Sequence, residues 1–230
     1  MEVLSIHMKV TLYACLVLFS FAVVPLSLFG QSAEIDPYAG FYWSGTNASG
    51  PGRFMNNQLL GVRGGGYITH NFELGGNYSW SNHFQPNNSN TGGNLAGLLG
   101  FPQGAVRANL WEVEYTYNFA KLSMWGSTFR PYLVGGTGGL TTNVKNEDAF
   151  VLNVVPVSTP LGTTFVANDV LESGDTFFTF SYGGGVKAMR LWGPLGVFGD
   201  IRGRTIPNFF GHATSRTEVS AGLNFSWGLR

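Results

Sequence analysis

The chain has 230 residues, a formal net charge of zero and only 11% Asp, Glu, Lys and Arg, well below the ~25% of ordinary soluble domains. Aromatic residues reach 15% and glycines number 33. This length allows one domain or two small ones, and without clustered Lys or Arg the composition excludes a nucleic-acid partner held through phosphate contacts.

In chain order, residues 1–33 read as a secretory signal peptide. Met8 and Lys9 form a short basic region, Val10 to Phe29 is apolar and interrupted by Pro25, and Gly30, Ser32 and Ala33 supply a small-residue exit. A retained anchor is the alternative, because the apolar run nearly reaches the ~20 residues of a spanning helix; Pro25 and the exit favour cleavage. The sole cysteine, Cys15, lies in this run, and LYAC at 12–15 comes too early for a lipoprotein box. A domain over 34–230 then has neither a disulfide nor thiol chemistry.

Beyond Ala33 helical periodicity is absent and alternation recurs, bounded by Gly, Asn, Pro and Ser clusters. Strands are predicted over about 37–45, 58–69, 71–83, 105–119, 129–143, 176–190, 195–206 and 217–229. Long connections follow the first, third, fifth and seventh: GTNASGPGRFMNN, QPNNSNTGGNLAGLLGFPQG, residues 146–174, and PNFFGHATSR. The intervening connections are short: His70-Asn71, KLSMWGST and LWGP. Long loops at one end and tight turns at the other are the asymmetry of outer-membrane barrels.

The stretch LWEVEYTYNF at 110–119 shows what the two faces want. Side chains alternate along a strand, so Trp111, Val113, Tyr115, Tyr117 and Phe119 share one face and Glu112, Glu114, Thr116 and Asn118 the other. The third strand sets Phe72, Leu74, Tyr78 and Trp80 against Glu73, Asn77, Ser79 and Ser81. The last sets Val219, Ala221, Leu223, Phe225, Trp227 and Leu229 against Glu218, Ser220, Gly222, Asn224 and Ser226. In the first and fifth strands aromatics occupy both faces, so the sorting there is less decisive. A soluble sandwich or lipocalin-like barrel would turn the polar face to water, but that face is mostly Gly, Ser, Thr and Asn, too sparsely charged for a surface. The expected fold is therefore all-β: an eight-stranded antiparallel up-and-down transmembrane β-barrel, apolar side to lipid. Trp43, Trp80 and Trp111 fall near the long-loop end and Trp125, Trp192 and Trp227 near the other, the placement of two interfacial aromatic belts.

These alternating strands, with GVRGGGYITHNFELGGNYSW, FRPYLVGGTGG, FSYGGGVKAM and the terminal AGLNFSWGL, resemble the small outer-membrane-protein-A-like β-barrels over nearly all of 34–230. The resemblance implies a cell-outer-membrane location, long loops extracellular and both termini periplasmic. It also implies outer-membrane lipid as surroundings, with periplasmic chaperones and the barrel-assembly machinery as partners during biogenesis. Family members usually end on an aromatic residue, whereas here the alternation ends at Leu229 followed by Arg230.

The enclosed face is expected to hold an ionic network: Glu73, Glu112, Glu114, Asp200 and Glu218 against Arg63, Lys187, Arg202 and Arg204. Near-balance is required, since unpaired charge in low dielectric costs several kcal/mol. Glu112 and Glu114 as an acid–base pair for glycoside hydrolysis is the alternative, but consecutive same-face residues rarely flank a scissile bond. His83 with Ser81 or Ser79 is a candidate for an outer-membrane hydrolase or acyltransferase acting on lipid or peptide. His70 and His212 read as loop-edge residues. No spacing resembles a metal site, no helix follows YGGGVKAM or GGTGG to receive a phosphate, and no cofactor is expected. The function read from sequence is structural or interactive, in membrane integrity, surface contact or adhesion; a narrow ion-conducting pore is a further alternative. VLNVVPV and TTFVA in 146–174 are expected either to extend the strands or to meet a partner.

Overall fold

The computed structural model describes residues 32–44, 56–84, 95–124 and 127–228. Its strands are β1 (Ala33–Ser44), β2 (Asn57–Tyr67), β3 (Phe72–Ser81), β4 (Gln103–Asn118), β5 (Leu122–Met124), β6 (Ser127–Thr159), β7 (Gly162–Glu172), β8 (Thr176–Trp192), β9 (Leu195–Phe209) and β10 (His212–Trp227). A single-turn helix, α1 (Leu95–Leu98), precedes β4. The eight strands β1, β2, β3, β4, β6, β8, β9 and β10 pair antiparallel with their neighbours, β4 with β6 and β10 with β1, so the ring has no edge. The fold is the expected eight-stranded antiparallel barrel.

Two elements stand outside that ring. β5 is a short addition to the foot of β6 (Leu122 opposite Phe129), inside the connection read as KLSMWGST. β6 continues to Thr159 and pairs with β7, so 146–174 is largely a β-hairpin rather than an open loop. The connection read as PNFFGHATSR is likewise strand on both sides: His212 pairs with Phe209 around a turn at Phe210-Gly211. Those residues lie at φ 49° and 80°, both positive, as a type I′ hairpin turn demands. Phe at a left-handed position is uncommon, which hid the turn.

β4 explains both the barrel and its boundary. From Trp111 to Tyr117 its odd residues are exposed while Glu112, Glu114, Thr116 and Asn118 are buried. Toward the long-loop end the same strand reverses its chemistry. Leu110, Ala108 and Val106 now point inward and are buried, while Asn109 and Arg107 take the outer face. β6 does the same, with Leu140 and Val144 inward and Thr141, Asn143 and Lys145 outward. Above this level outward hydroxyls pair across strands, Thr141 with Thr176 at 3.0 Å and Thr205 with Ser215 at 2.9 Å. A face that turns from aromatic to amide and hydroxyl along one strand passes from hydrocarbon into water. Trp111 to Phe119 is nine residues, close to the ~9–11 of a tilted spanning strand.

Above the reversal the barrel has an ordinary apolar core. Phe84, Val106, Ala108, Leu110, Leu140, Val144, Ile206 and Phe209 cluster with Phe150, Leu152 and Leu171 from the root of the β6–β7 hairpin. The hairpin thus folds its apolar root over the mouth. Phe177, Phe209 and Phe210 pack with ring centroids 4.8–5.5 Å apart.

Candidate functional site

Below the apolar core the lumen is ionic. Seven buried carboxylates (Glu34, Asp36, Glu73, Glu112, Glu114, Asp200, Glu218) face six buried cations (Arg63, Arg130, Lys187, Arg202, Arg204, Arg216) among the described residues. Buried charge demands partners, and most of them come from other strands of the ring.

Three arginines occupy the middle. Arg63 on β2 donates to Asp200 on β9 at 2.7 Å and to Ser220 on β10 at 2.8 Å. Arg202 donates to Asp200 at 2.9 Å and to Glu114 on β4 at 2.5 Å. Arg204 reaches Glu218 on β10 at 2.8 Å and also contacts Glu112 on β4, crossing the lumen. Asp200 collects four donors: Arg63, Arg202, Ser220 and the Tyr132 hydroxyl, the last at 2.9 Å. The Arg63 guanidinium also lies 4.2 Å from the Tyr38 ring centroid, a cation–π contact.

The short-turn end is organised on Lys187. Its ammonium contacts Glu34, lies 3.2 Å from Glu73 and 4.0 Å from Asp36. Asn224 donates to Asp36 at 2.6 Å, and the Tyr67 hydroxyl to Glu34 at 3.1 Å. Arg130 closes this end by donating to the backbone carbonyls of His70 and Phe119.

The glycine runs make this layer possible. A β-carbon on Gly185 of β8 would stand 2.5 Å from Cβ of Asp200 and 2.8 Å from the Tyr132 hydroxyl. Gly185 is the register partner of Asp200 on the adjacent strand, so its missing side chain leaves room for the groups that converge on that carboxylate.

All nine residues assigned by sequence to the enclosed face are buried, and each makes at least one of the ion pairs above. Sequence reasoning missed Glu34 and Asp36, because the first strand was begun at residue 37, and Arg130. It also missed Arg216, which was placed in a loop. Arg216 is buried 4.3 Å from the Tyr42 ring centroid, at the seam between ionic and apolar layers. Strict alternation continued three residues back from each assumed strand start would have found Glu34, Asp36 and Arg216.

Trp43, Trp80 and Trp111 are outward and exposed at the level where the faces reverse, and Trp192 and Trp227 are outward at the short-turn end. Trp125 lies outside the described residues, as do residues 1–31.

The candidate catalytic groups do not assemble. Ser79 and Ser81 are buried on the inward face, and Ser81 donates to the Gln58 carbonyl at 3.0 Å. His83 is exposed and has no hydrogen bond to either serine among the described residues. Glu112 is committed to Arg204 and Glu114 to Arg202, so neither carboxylate is left to act as a catalytic pair. A groove of about 590 Å³ beside the mouth is lined by Thr176, Phe177, Phe178, Pro207, Asn208, Phe210 and Gly211, with no titratable side chain.

No family model matches the chain, and no curated protein matches it. Solved structures with a similar course include the N-terminal β-barrel domain of OprF from Pseudomonas aeruginosa, at 14% identity and TM-score 0.44 over 85% of this chain and 98% of that one. Neisserial surface protein A shares 12% identity at TM-score 0.48, over 84% of this chain and 95% of that one. OprG of Pseudomonas aeruginosa shares 10% at TM-score 0.44, over 86% and 96%. The ring closure, the aromatic outside and the ionic inside make this chain an eight-stranded transmembrane-type β-barrel, similar in fold to the small outer-membrane-protein-A-like barrels.

Proposed function

We propose that the protein is a closed, non-conducting barrel of the cell outer membrane whose role is structural and interactive: it stabilises the envelope and presents its long-loop end for surface contact. In this reading the long loops are extracellular, both termini are periplasmic, and chaperones with the barrel-assembly machinery deliver the chain. The outward aromatic faces favour lipid over water. Ile35, Leu60, Tyr115, Leu133, Phe178, Tyr182 and Ile201 each expose 47–59% of their surface, and such side chains forfeit about 1 kcal/mol or more apiece when left in water.

The observation that carries the non-conducting role is the doubly filled lumen, ion-paired below and apolar above. An ion entering from the long-loop side meets the Val106–Leu140–Phe209 core before any charge, and farther in Arg63, Arg202 and Arg204 are held by carboxylates. Eight strands leave an interior that side chains can fill. Planar-bilayer recording tests this: the purified, refolded barrel is expected to give no stable steps, and large stable steps would overturn the closed-lumen role.

An electrophoretic heat-modifiability assay tests the barrel itself. The unboiled protein is expected to run faster than the boiled one. A hydrolase reading has less support, since His83 and the serines stand apart; His83→Ala is expected to leave any in-membrane hydrolysis unchanged.

A further inference from the structure

The tip of the β6–β7 hairpin is exposed. Its root packs on the apolar core through Phe150, Leu152 and Leu171, but Val157, Leu161, Phe165 and Val166 are exposed, Leu161 completely. From Ala149 to Asn168 no residue is charged. β6 holds one edge of β7, pairing Val155 with Val166 and Pro156 with Phe165. Among the described elements nothing pairs with the other edge. Between Thr163 and Asn168 that edge has no proline and no charge, the usual devices that protect an open strand from pairing. A two-stranded ribbon is marginally stable in water without a further strand or covering layer.

We propose that this edge pairs, antiparallel, with β7 of a second copy standing in an apposed membrane. Three features select that occupant. A lipid surface would leave the open backbone N–H and C=O groups unsatisfied, whereas a strand pairs them. A neutral segment accepts its own copy without placing like charges opposite one another. A two-fold axis perpendicular to the strand relates antiparallel copies and puts the two barrels at opposite ends of the joined ribbon, in facing bilayers. Centred on Phe165, the pairing sets that residue against itself, with Thr164 of each copy opposite Val166 of the other. The proposal rests on the outer-membrane reading above and names the partner of its surface contact.

The test uses the full chain reconstituted alone into two dye-labelled populations of phosphatidylcholine vesicles. Wild-type vesicles are expected to cluster with one another, with light scattering and inter-dye energy transfer rising at least tenfold over protein-free vesicles. Phe165→Lys in both populations is expected to abolish clustering, and so is Phe165→Glu in both. Mixing Phe165→Lys vesicles with Phe165→Glu vesicles is expected to restore it, because the opposed residues then attract. Failure of wild-type vesicles to cluster, clustering of the Lys variant with itself, or equal clustering of wild-type vesicles with protein-free ones would overturn the proposal. Heat-modifiability of wild type and variants reads the barrel separately: absence of the faster band condemns the fold reading, whereas wild-type protein that keeps the faster band and fails to cluster condemns the edge alone.

Discussion

Asp200 is the residue on which the lumen turns, because two arginines, a serine and a tyrosine converge on it from four strands. Removing one member of a buried ion pair leaves an uncompensated charge and costs about 3–5 kcal/mol. Arg202→Met is therefore expected to destabilise the folded barrel by about 3–5 kcal/mol in urea titration in lipid vesicles, as it strands Glu114 while Asp200 keeps Arg63. Adding Glu114→Gln is expected to recover part of that loss, since the two residues are coupled and their effects do not add. Arg190, exposed near the β8–β9 turn, is the internal comparison: Arg190→Gln is expected to change stability by less than about 0.5 kcal/mol.

At the level of elements, turn geometry decides where strands end. The β9–β10 turn has no Asn-Gly or Asp-Gly signal, yet Phe210 and Gly211 both adopt positive φ, and Asn208 accepts a hydrogen bond from the Gly211 N–H at 2.8 Å. A β-carbon at Gly211 meets no neighbour, so the cost of Gly211→Val is conformational. It is expected to lower stability by about 1–2 kcal/mol, seen as a shifted urea midpoint with an unchanged slope. The same elements explain the misread loops. PNFFGHATSR and 146–174 contain Pro, Gly, Asn and Ser in plenty, but phenylalanine and leucine residues from these segments bury in the apolar core at the mouth. Packing of Phe150, Leu152, Leu171 and Phe209 overrode local turn chemistry there.

For the whole molecule, the reversal of the two faces along β4 and β6 sets its position in a bilayer. Arginine at the lipid-facing mid-height costs about 2–4 kcal/mol and falls toward zero at the interface. Ile201→Arg is expected to cost about 2–4 kcal/mol and Asn143→Arg about zero, both measured by unfolding in vesicles; equal costs would contradict the boundary at Trp111. Period-two alternation bounded by turn clusters, read over all the ring strands, by itself determined the strand count, the lipid-facing side and the placing of nine charged residues on the enclosed face, because pleating fixes side-chain direction at every position. Tertiary structure alone decided the rest: which arginine meets which carboxylate, that Glu34, Asp36, Arg130 and Arg216 join them, that an apolar core caps the ionic layer, and that β6 runs on to hold β7. Those outcomes depend on register and ring closure, which bring together residues as far apart as Glu34 and Asn224, and no local pattern in the chain encodes a distance across a barrel.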